Sequence, residues 1–596
     1  MESNGKRQLY RSATLSAVRL RDDTFHIYVP ATGAYHIVCG RSMQALKLCR
    51  ADDTLDAHVG RIAHATRSTD AARSSIREFL LGLVANGMLV SSTCVAQRQS
   101  AMDADRPRLI SALTFVTANR PMPLKRALDS YSLRLRGLGR QPELIVVDDT
   151  EGPSGREANL SVIQSEERSA VRYAGRQEKE KYIARLAQAG INPRTATHAL
   201  MGIDIGKVCT TGANRNVALL DTLGQYVLSV DDDSVCMTAI HPAKTDMLCL
   251  GAHDIPRDAW FYATRECVMR NTAWTQDDLF AEHERLLGKS LSSLACHAFK
   301  GHISYEHSCD HLLWKAQYSD AKVRATLSGM VGDSGLDFFG LWFMRENTTR
   351  KILATNHDLF TRAFQSREIL WVAQACTVTD FSFFNGTCFG IDNTALLPPF
   401  MPVGRKQDGV FGALLCLETS ALIGHVPIAV LHAARPNRYY DEFSRFEFAD
   451  LIVALLPRIQ TLRGRSMKNI LRYVGSEMCE LARGPDIDLL DFISTAVSAG
   501  YGTMMQAYRS ICQEPNPCPL FWKAKIEAYE AYVLSQLRHR EFWIPQDLIG
   551  RCSHSDAVTL TRRLLEDIGL VLYEWPDIID AAIDLQSKGI RMSRPV

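Results

Sequence analysis

Three short apolar runs, each halted by polar side chains, constrain the fold of this chain most. They are "LTFVTANR", "ELIVVDDT" and "YVLSVDDDS". Runs this short, apolar on both faces, suit strands of a parallel sheet covered on both sides. Between the first two, Pro121 and Pro123 mark a helix start, and Leu124, Ala127, Leu128, Tyr131 and Leu135 trace one helical face. Strand, helix and strand within about forty residues make a βαβ unit. The third run follows "TTGANRNVALLDTLG", a helical pattern stopped at Gly224. Ligands of such sheets bind beyond the carboxyl ends of the strands. Thr117, Asn119, Asp148, Asp149 and the triplet Asp231, Asp232, Asp233 occupy those ends.

Side chains alternate across a strand, so Asp231 and Asp233 share a face and Asp232 does not. Two carboxylates held close repel unless a proton, a cation or open water relieves them. A hard divalent cation such as Mg²⁺ or Mn²⁺ takes one or two carboxylates plus phosphate oxygens. An isolated Asp triplet is equally at home in a polar turn. What favours a site is that the triplet is the third polar strand end in a row.

Composition narrows the function classes. With 68 basic and 66 acidic residues the formal charge is +2, which favours neither nucleic acid nor a membrane surface as partner. No apolar stretch approaches the ~18 residues of a spanning helix. The start, "MESNGKRQLYRSATLS", lacks the apolar core of a signal peptide, and the sixteen scattered cysteines then read as reduced thiols of a cytoplasmic protein. The 596 residues lead us to expect about three to five domains. His302, His307, Cys309 and His311 in "GHISYEHSCDH" match no standard zinc spacing and read as solvated or internally satisfied.

Residues 1–100 form a unit of their own. "FHIYVP" and "GAYHIVCG" make a hairpin turning at Thr32-Gly33, followed by three helical patterns and a short strand. Asp52, Asp53 and Thr54 offer N-caps for the second helix, and Asn86-Gly87 stops the third. The order, with "QALKLCRADDTLDAHVGRI" and "FLLGLVANGMLV", resembles the PqqD-like domain, the peptide-recognition element of enzymes that modify ribosomal peptides. The resemblance implies that an extended peptide adds to the hairpin edge, near Phe79 and Leu83.

Residues 105–440 read as one domain, and within it about 107–150 and 208–440 resemble family 2-type glycosyltransferases with a GT-A fold, through "VTANR", "IVVDD", "GANRN", "VDDD", "RKQDGVFGALL" and "VLH" in that order, while 240–375 matches no part of that pattern. That resemblance implies an α/β, Rossmann-like nucleotide-diphospho-sugar transferase core with helical insertions. Thr117, Asn119, Asp148, Asp149, Arg215, Asp231 and Asp232 would bind the nucleotide-sugar donor. Asp231, Asp233 and His432 would hold Mn²⁺ or Mg²⁺, and Asp408 would be the general base of an inverting transfer. Ala118 stands where the family commonly has an aromatic residue, and Gln407 where it has Glu. Residues 441–596 read as a helical domain for packing or homo-oligomerisation. The expected function is metal-dependent glycosyl transfer, with a ribosomally made peptide as candidate acceptor. Rival readings are a glycan or lipid acceptor, a GT-A nucleotidyltransferase, and an inactive peptide-binding adaptor.

Overall fold

The three runs with polar ends lie side by side as parallel strands. Ala112–Thr117 is flanked by Glu143–Asp148 on one side and Tyr226–Asp231 on the other, with Val171–Ala174 beyond Glu143–Asp148. The computed structural model describes residues 8–91, 108–202, 209–334, 355–434, 446–456 and 466–596, apart from 14, 21–22, 30–31, 33, 52, 166–169, 252–255, 301, 305–311, 314–320, 513–518, 539–543 and 550–552. Gly33, Asp52, His307, Cys309 and His311 lie outside the described residues.

Alternation explains why these strands are apolar throughout. Leu113 and Phe115 pack with Leu124, Leu128 and Tyr131 of helix Pro121–Gly137. Ala112 and Val116 face the opposite layer, with Val217, Ala218 and Leu220 of helix Thr211–Asp221. Both faces are therefore dry, and helical layers cover the sheet on two sides. The chain builds outward from Ala112–Thr117 in one direction and then returns to its other edge with Tyr226–Asp231. That reversal opens a crevice at the carboxyl ends of these two strands, where open α/β sheets take ligands.

The sheet continues as a mixed one. Cys388–Asp392 runs antiparallel to Tyr226–Asp231, Lys322–Asp333 runs antiparallel to Cys388–Asp392, and Ala421–His432 pairs parallel with Lys322–Asp333. Among the described residues it has fifteen strands, a mixed α/β architecture. The chain therefore crosses twice more before His432 returns to the Asp231 end.

The N-terminal unit has its own small core around Ile27, Val29, Leu46, Val59, Leu80 and Leu83. The hairpin is present, Thr24–Val29 pairing with Ala34–Cys39. The polar N-terminus did not announce two further strands: Ser16–Arg19 joins the hairpin at Thr24–Val29, and Leu9–Ser12 pairs with Leu89–Ser91 in a second small sheet. Of the expected caps, Thr54 accepts the Ala57 N–H at 3.2 Å. Leu83 is buried in this core, while Phe79 is exposed.

The helices beyond residue 446 share their core with the sheet. Ile470, Leu471, Val474 and Trp575 belong to the same apolar cluster as Val217 and Phe400, and Trp575 Nε1 donates to the Leu397 carbonyl at 2.9 Å. Arg594–Pro595 pairs antiparallel with Val171–Ala174 at the sheet edge. Among the described residues no helix is long and apolar enough to cross a membrane.

Asp221 secures that return. Its buried carboxylate accepts from the backbone N–H of Met592 (3.1 Å) and Ser593 (3.0 Å), from the Ser593 hydroxyl, and from Arg591 Nη2 (2.9 Å). Asp221→Ala removes the common acceptor of these donors. It should lower stability by about 2–3 kcal/mol in urea unfolding and open residues 591–596 to carboxypeptidase. Wild-type resistance in the variant would show that the strand pairing alone holds the tail.

Candidate active site

A cleft of about 990 Å³ opens at the crevice between Ala112–Thr117 and Tyr226–Asp231. Its walls include Thr117, Arg120, Arg215, Asp231, Asp232, Asp233, Asp408 and His432. Four distant stretches of sequence thus meet around the Asp triplet.

Each carboxylate has a different partner set. Asp231 Oδ1 accepts from Arg215 Nη2 at 2.8 Å, and its Oδ2 has no hydrogen bond among the described residues. Asp232 accepts from the Thr117 hydroxyl at 2.7 Å and from Arg120 Nη1 at 2.6 Å. Asp233 accepts from Arg120 Nη2 at 2.8 Å, and its Oδ1 lies 3.1 Å from His432 Nε2. The His432 Nδ1–H donates to the Asp333 carbonyl at 2.5 Å, which fixes the ring.

Burial and charge then split the triplet. Loss of water pushes Asp231 up to about 6, with Arg215 opposing and Asp233 adding repulsion. Burial likewise raises Asp232 to about 7 against the pull of Arg120. Burial also disfavours ionised Asp233, but His432 and Arg120 outweigh it and hold that carboxyl well below the usual range. Burial alone would lower His432; Asp233 overrides it and lifts the imidazole to about 9.

Arg215 is 2% exposed and lies 5.3 Å from the Phe389 ring and 5.5 Å from the Phe400 ring. Nη2 also donates to the Gly386 carbonyl at 2.7 Å, while Nε and Nη1 have no hydrogen-bond partner among the described residues. A Cβ at residue 386 would meet Nη1 at 2.3 Å, so a side chain there would push the guanidinium from its place. Gly386 N–H donates to Asp408 Oδ2 at 2.8 Å, and Gly409 N–H to Oδ1 at 3.0 Å. Asp408 lies in the first turn of helix Gln407–Leu417, whose N-cap is Lys406, a residue at φ +55°. Lys406 Nζ pairs with Asp450 at 2.8 Å and Glu447 at 3.4 Å, two more cleft residues, from the segment that opens helix Phe448–Leu455.

Three of the expected donor-binding residues stand behind the cleft wall. Asp148 is buried and accepts from the Thr150 N–H (2.8 Å), Asn159 Nδ2 (3.0 Å) and the Tyr173 hydroxyl (2.9 Å), so it ties the loop to neighbouring elements. Asp149 pairs with the fully buried Lys179 at 3.2 Å and accepts from the Thr210 hydroxyl. Lys179 also donates to Asn214 Oδ1 at 2.6 Å. Asn119 adopts φ +57° and gives its N–H to Thr150 Oγ1 at 2.7 Å. Arg120, Asn214, Lys406, Glu447 and Asp450 line the cleft without having been singled out. A basic residue directly after a strand-end loop was the available signal for Arg120, Asn214 and Lys406 stand within the quoted "GANRN" and "RKQDG" runs, and nothing local pointed to Glu447 or Asp450.

Among the described residues no three His, Cys, Asp or Glu side chains stand together as a preformed metal cage. The donor types nonetheless suit a hard cation completed by phosphate oxygens. Asp231 has an oxygen without a partner among the described residues, and Asp233 faces a histidine whose other nitrogen is committed to a backbone carbonyl, as metal-ligating histidines usually are.

No family model matches the chain, and no curated protein matches it. Among solved structures, a chain of the E. coli microcin synthetase McbBCD complex pairs with it at 8% identity, over 33% of this chain and 81% of that one. The TM-score is 0.13, a likeness that carries no argument.

The His432–Asp233 pair has a pH signature. The fold raises the pKa of His432, so its stabilising contribution is complete below about pH 6.5 and fades as pH rises through about 9. Asp231 and Asp232 are also raised, and stability drawn from their protonated forms is lost earlier, as pH climbs from about 4 through 6 to 7. In chelator, the urea midpoint should fall between pH 6.5 and about 10 by the equivalent of about 3 kcal/mol. His432→Gln should flatten that limb. An equally steep limb in the variant would assign the titration elsewhere.

Proposed function

We propose that this chain is a metal-dependent glycosyltransferase with a GT-A core, which moves a sugar from a nucleotide-sugar to an acceptor. The observation that carries the reading is the convergence in one cleft, at the reversal of strand order, of the acid triplet, a buried Arg215 with two nitrogens unpartnered among the described residues, and Asp408. A buried guanidinium with free donors calls for an anion, and a diphosphate is the anion that such a transfer releases. Asp231, Asp233 and His432 would hold Mn²⁺ or Mg²⁺, which supplies Lewis-acid neutralisation of the departing diphosphate.

The chain's own residues would do the rest. Arg215 binds the diphosphate from the floor of the cleft. Asp408 is held by two backbone N–H groups in a fixed orientation. It accepts the proton of the acceptor hydroxyl as that oxygen bonds to the anomeric carbon and the bond to the diphosphate breaks. The acceptor reading rests on the N-terminal unit. Among the described strands Ala34–Cys39 is paired on one side only, by Thr24–Val29, which leaves an edge open to an extended peptide.

Incubation with a panel of UDP-, GDP- and ADP-sugars in Mn²⁺, read by mass spectrometry, should reveal donor hydrolysis or transfer. Asp408→Asn should slow turnover by about 10²- to 10⁴-fold and leave nucleoside-diphosphate affinity unchanged. Arg215→Ala should do the opposite, weakening that affinity at least tenfold. If calorimetry finds no nucleoside diphosphate bound in Mn²⁺, the reading fails. With a peptide acceptor, removal of residues 1–100 should raise KM and spare kcat; identical KM values would leave the N-terminal unit without a recognition role.

A further inference from the structure

Arg120 sits where helix physics opposes it. It is the N-cap residue of helix Pro121–Gly137 and caps nothing with its side chain. The positive end of the helix dipole disfavours a cation there. What keeps it is the acid cluster: one guanidinium spans two buried carboxylates, Nη1 on Asp232 at 2.6 Å and Nη2 on Asp233 at 2.8 Å. The side chain is 25% exposed and forms part of the cleft wall, so it can leave without unpacking the core.

The consequence for a cation is direct. Of the six triplet oxygens, five are engaged by protein donors: one by Arg215, one by Thr117, two by Arg120 and one by His432. Asp233 has neither oxygen free. A divalent ion entering beside Asp233 meets a guanidinium already in place, and like charges at that separation repel.

We propose that Arg120 is a latch: it serves as the internal counter-ion of the Asp232–Asp233 pair, keeps divalent metal out of the empty cleft, and swings to a nucleoside diphosphate when one arrives. This rests on the metal-dependent reading above and adds an order to it. Metal alone binds weakly. Metal and diphosphate together bind well, because the diphosphate gives the displaced guanidinium a new bidentate partner and the vacated carboxylate faces the ion. Binding of the two is therefore positively coupled, and the coupling runs through Arg120.

The test is Mn²⁺ titration of the full-length protein, by calorimetry and by the loss of free-Mn²⁺ electron paramagnetic resonance signal. It is run with and without UDP, GDP and ADP, against protein-free nucleotide blanks. Wild type should bind Mn²⁺ weakly alone and at least tenfold more tightly with the nucleotide that fits. Arg120→Ala should bind Mn²⁺ alone about tenfold more tightly than wild type, and the gain from nucleotide should shrink. Arg120→Met keeps the aliphatic stem and repeats the comparison should the alanine variant melt early. Equal or weaker Mn²⁺ affinity in both variants overturns the latch while leaving metal-dependent nucleotide binding standing. Absence of Mn²⁺ binding in every variant, with and without nucleotide, removes the metal-dependent reading and the latch with it.

Discussion

Three consecutive carboxylates at the end of one strand, two of them buried, cannot be kept so far from water unless cations come to them. The fold around the cleft meets that demand. Arg120 arrives from the loop after the first strand, Arg215 from the helix that precedes the triplet, and His432 from the end of a strand two hundred residues downstream. Each contact fixes a separate element: the start of helix Pro121–Gly137, the tilt of helix Thr211–Asp221, and the register of Ala421–His432 beside Ser234–Ile240, where Ser234 opposes His432. A mispaired sheet would leave a charge buried and alone, at a cost of several kcal/mol. The same electrostatics that can serve a ligand therefore also specify the sheet.

The residues behind the cleft follow the same logic one layer back. Asp148, Asp149 and Lys179 are buried and ionisable, and each is bonded to elements adjoining the cleft wall. The Lys179–Asn214–Thr117 connection is the clearest case, because Asn214 Nδ2 donates to the Thr117 carbonyl at 3.1 Å. Burial favours the neutral form of Lys179 and lowers its pKa, against the pull of Asp149. These side chains orient what lines the cleft without facing it.

Legibility in the sequence follows the range of the interaction. The strands Ala112–Thr117, Glu143–Asp148 and Tyr226–Asp231 could be read because apolar runs of six residues have few other uses, and the helical face Leu124 to Leu135 because its period is local. Thr117, Asp231, Asp232, Asp233, Arg215, Asp408 and His432 line one cleft. The difference between Asp148 and its cleft-lining counterparts was not legible, since it depends on Asn159 and Tyr173 filling the space beside it. The strand Ser16–Arg19, exposed along its whole length, carries no apolar alternation to betray it. Residues 446–596 showed helical periods but not their destination, because an apolar stripe that packs on a sheet looks like one that packs on a helix.

That destination matters for the cleft. Helix Phe448–Leu455 packs against helix Gln407–Leu417 with Leu451 and Ile452 buried, and its capping residues Glu447 and Asp450 reach Lys406. Lys406 occupies a left-handed conformation that costs a non-glycine residue on the order of 1 kcal/mol or more. A strained turn of this kind persists only where its surroundings hold it, and two carboxylates from the following helix do so. Asp408 lies two residues further on. Its carboxylate therefore takes its direction from the Gly386 and Gly409 amides within the α/β core, and its backbone from an ion pair that the C-terminal helices supply. The C-terminal region is part of the structure that shapes the cleft, and the strand Arg594–Pro595, locked by Asp221 at the far edge of the same sheet, closes that structure from the other side.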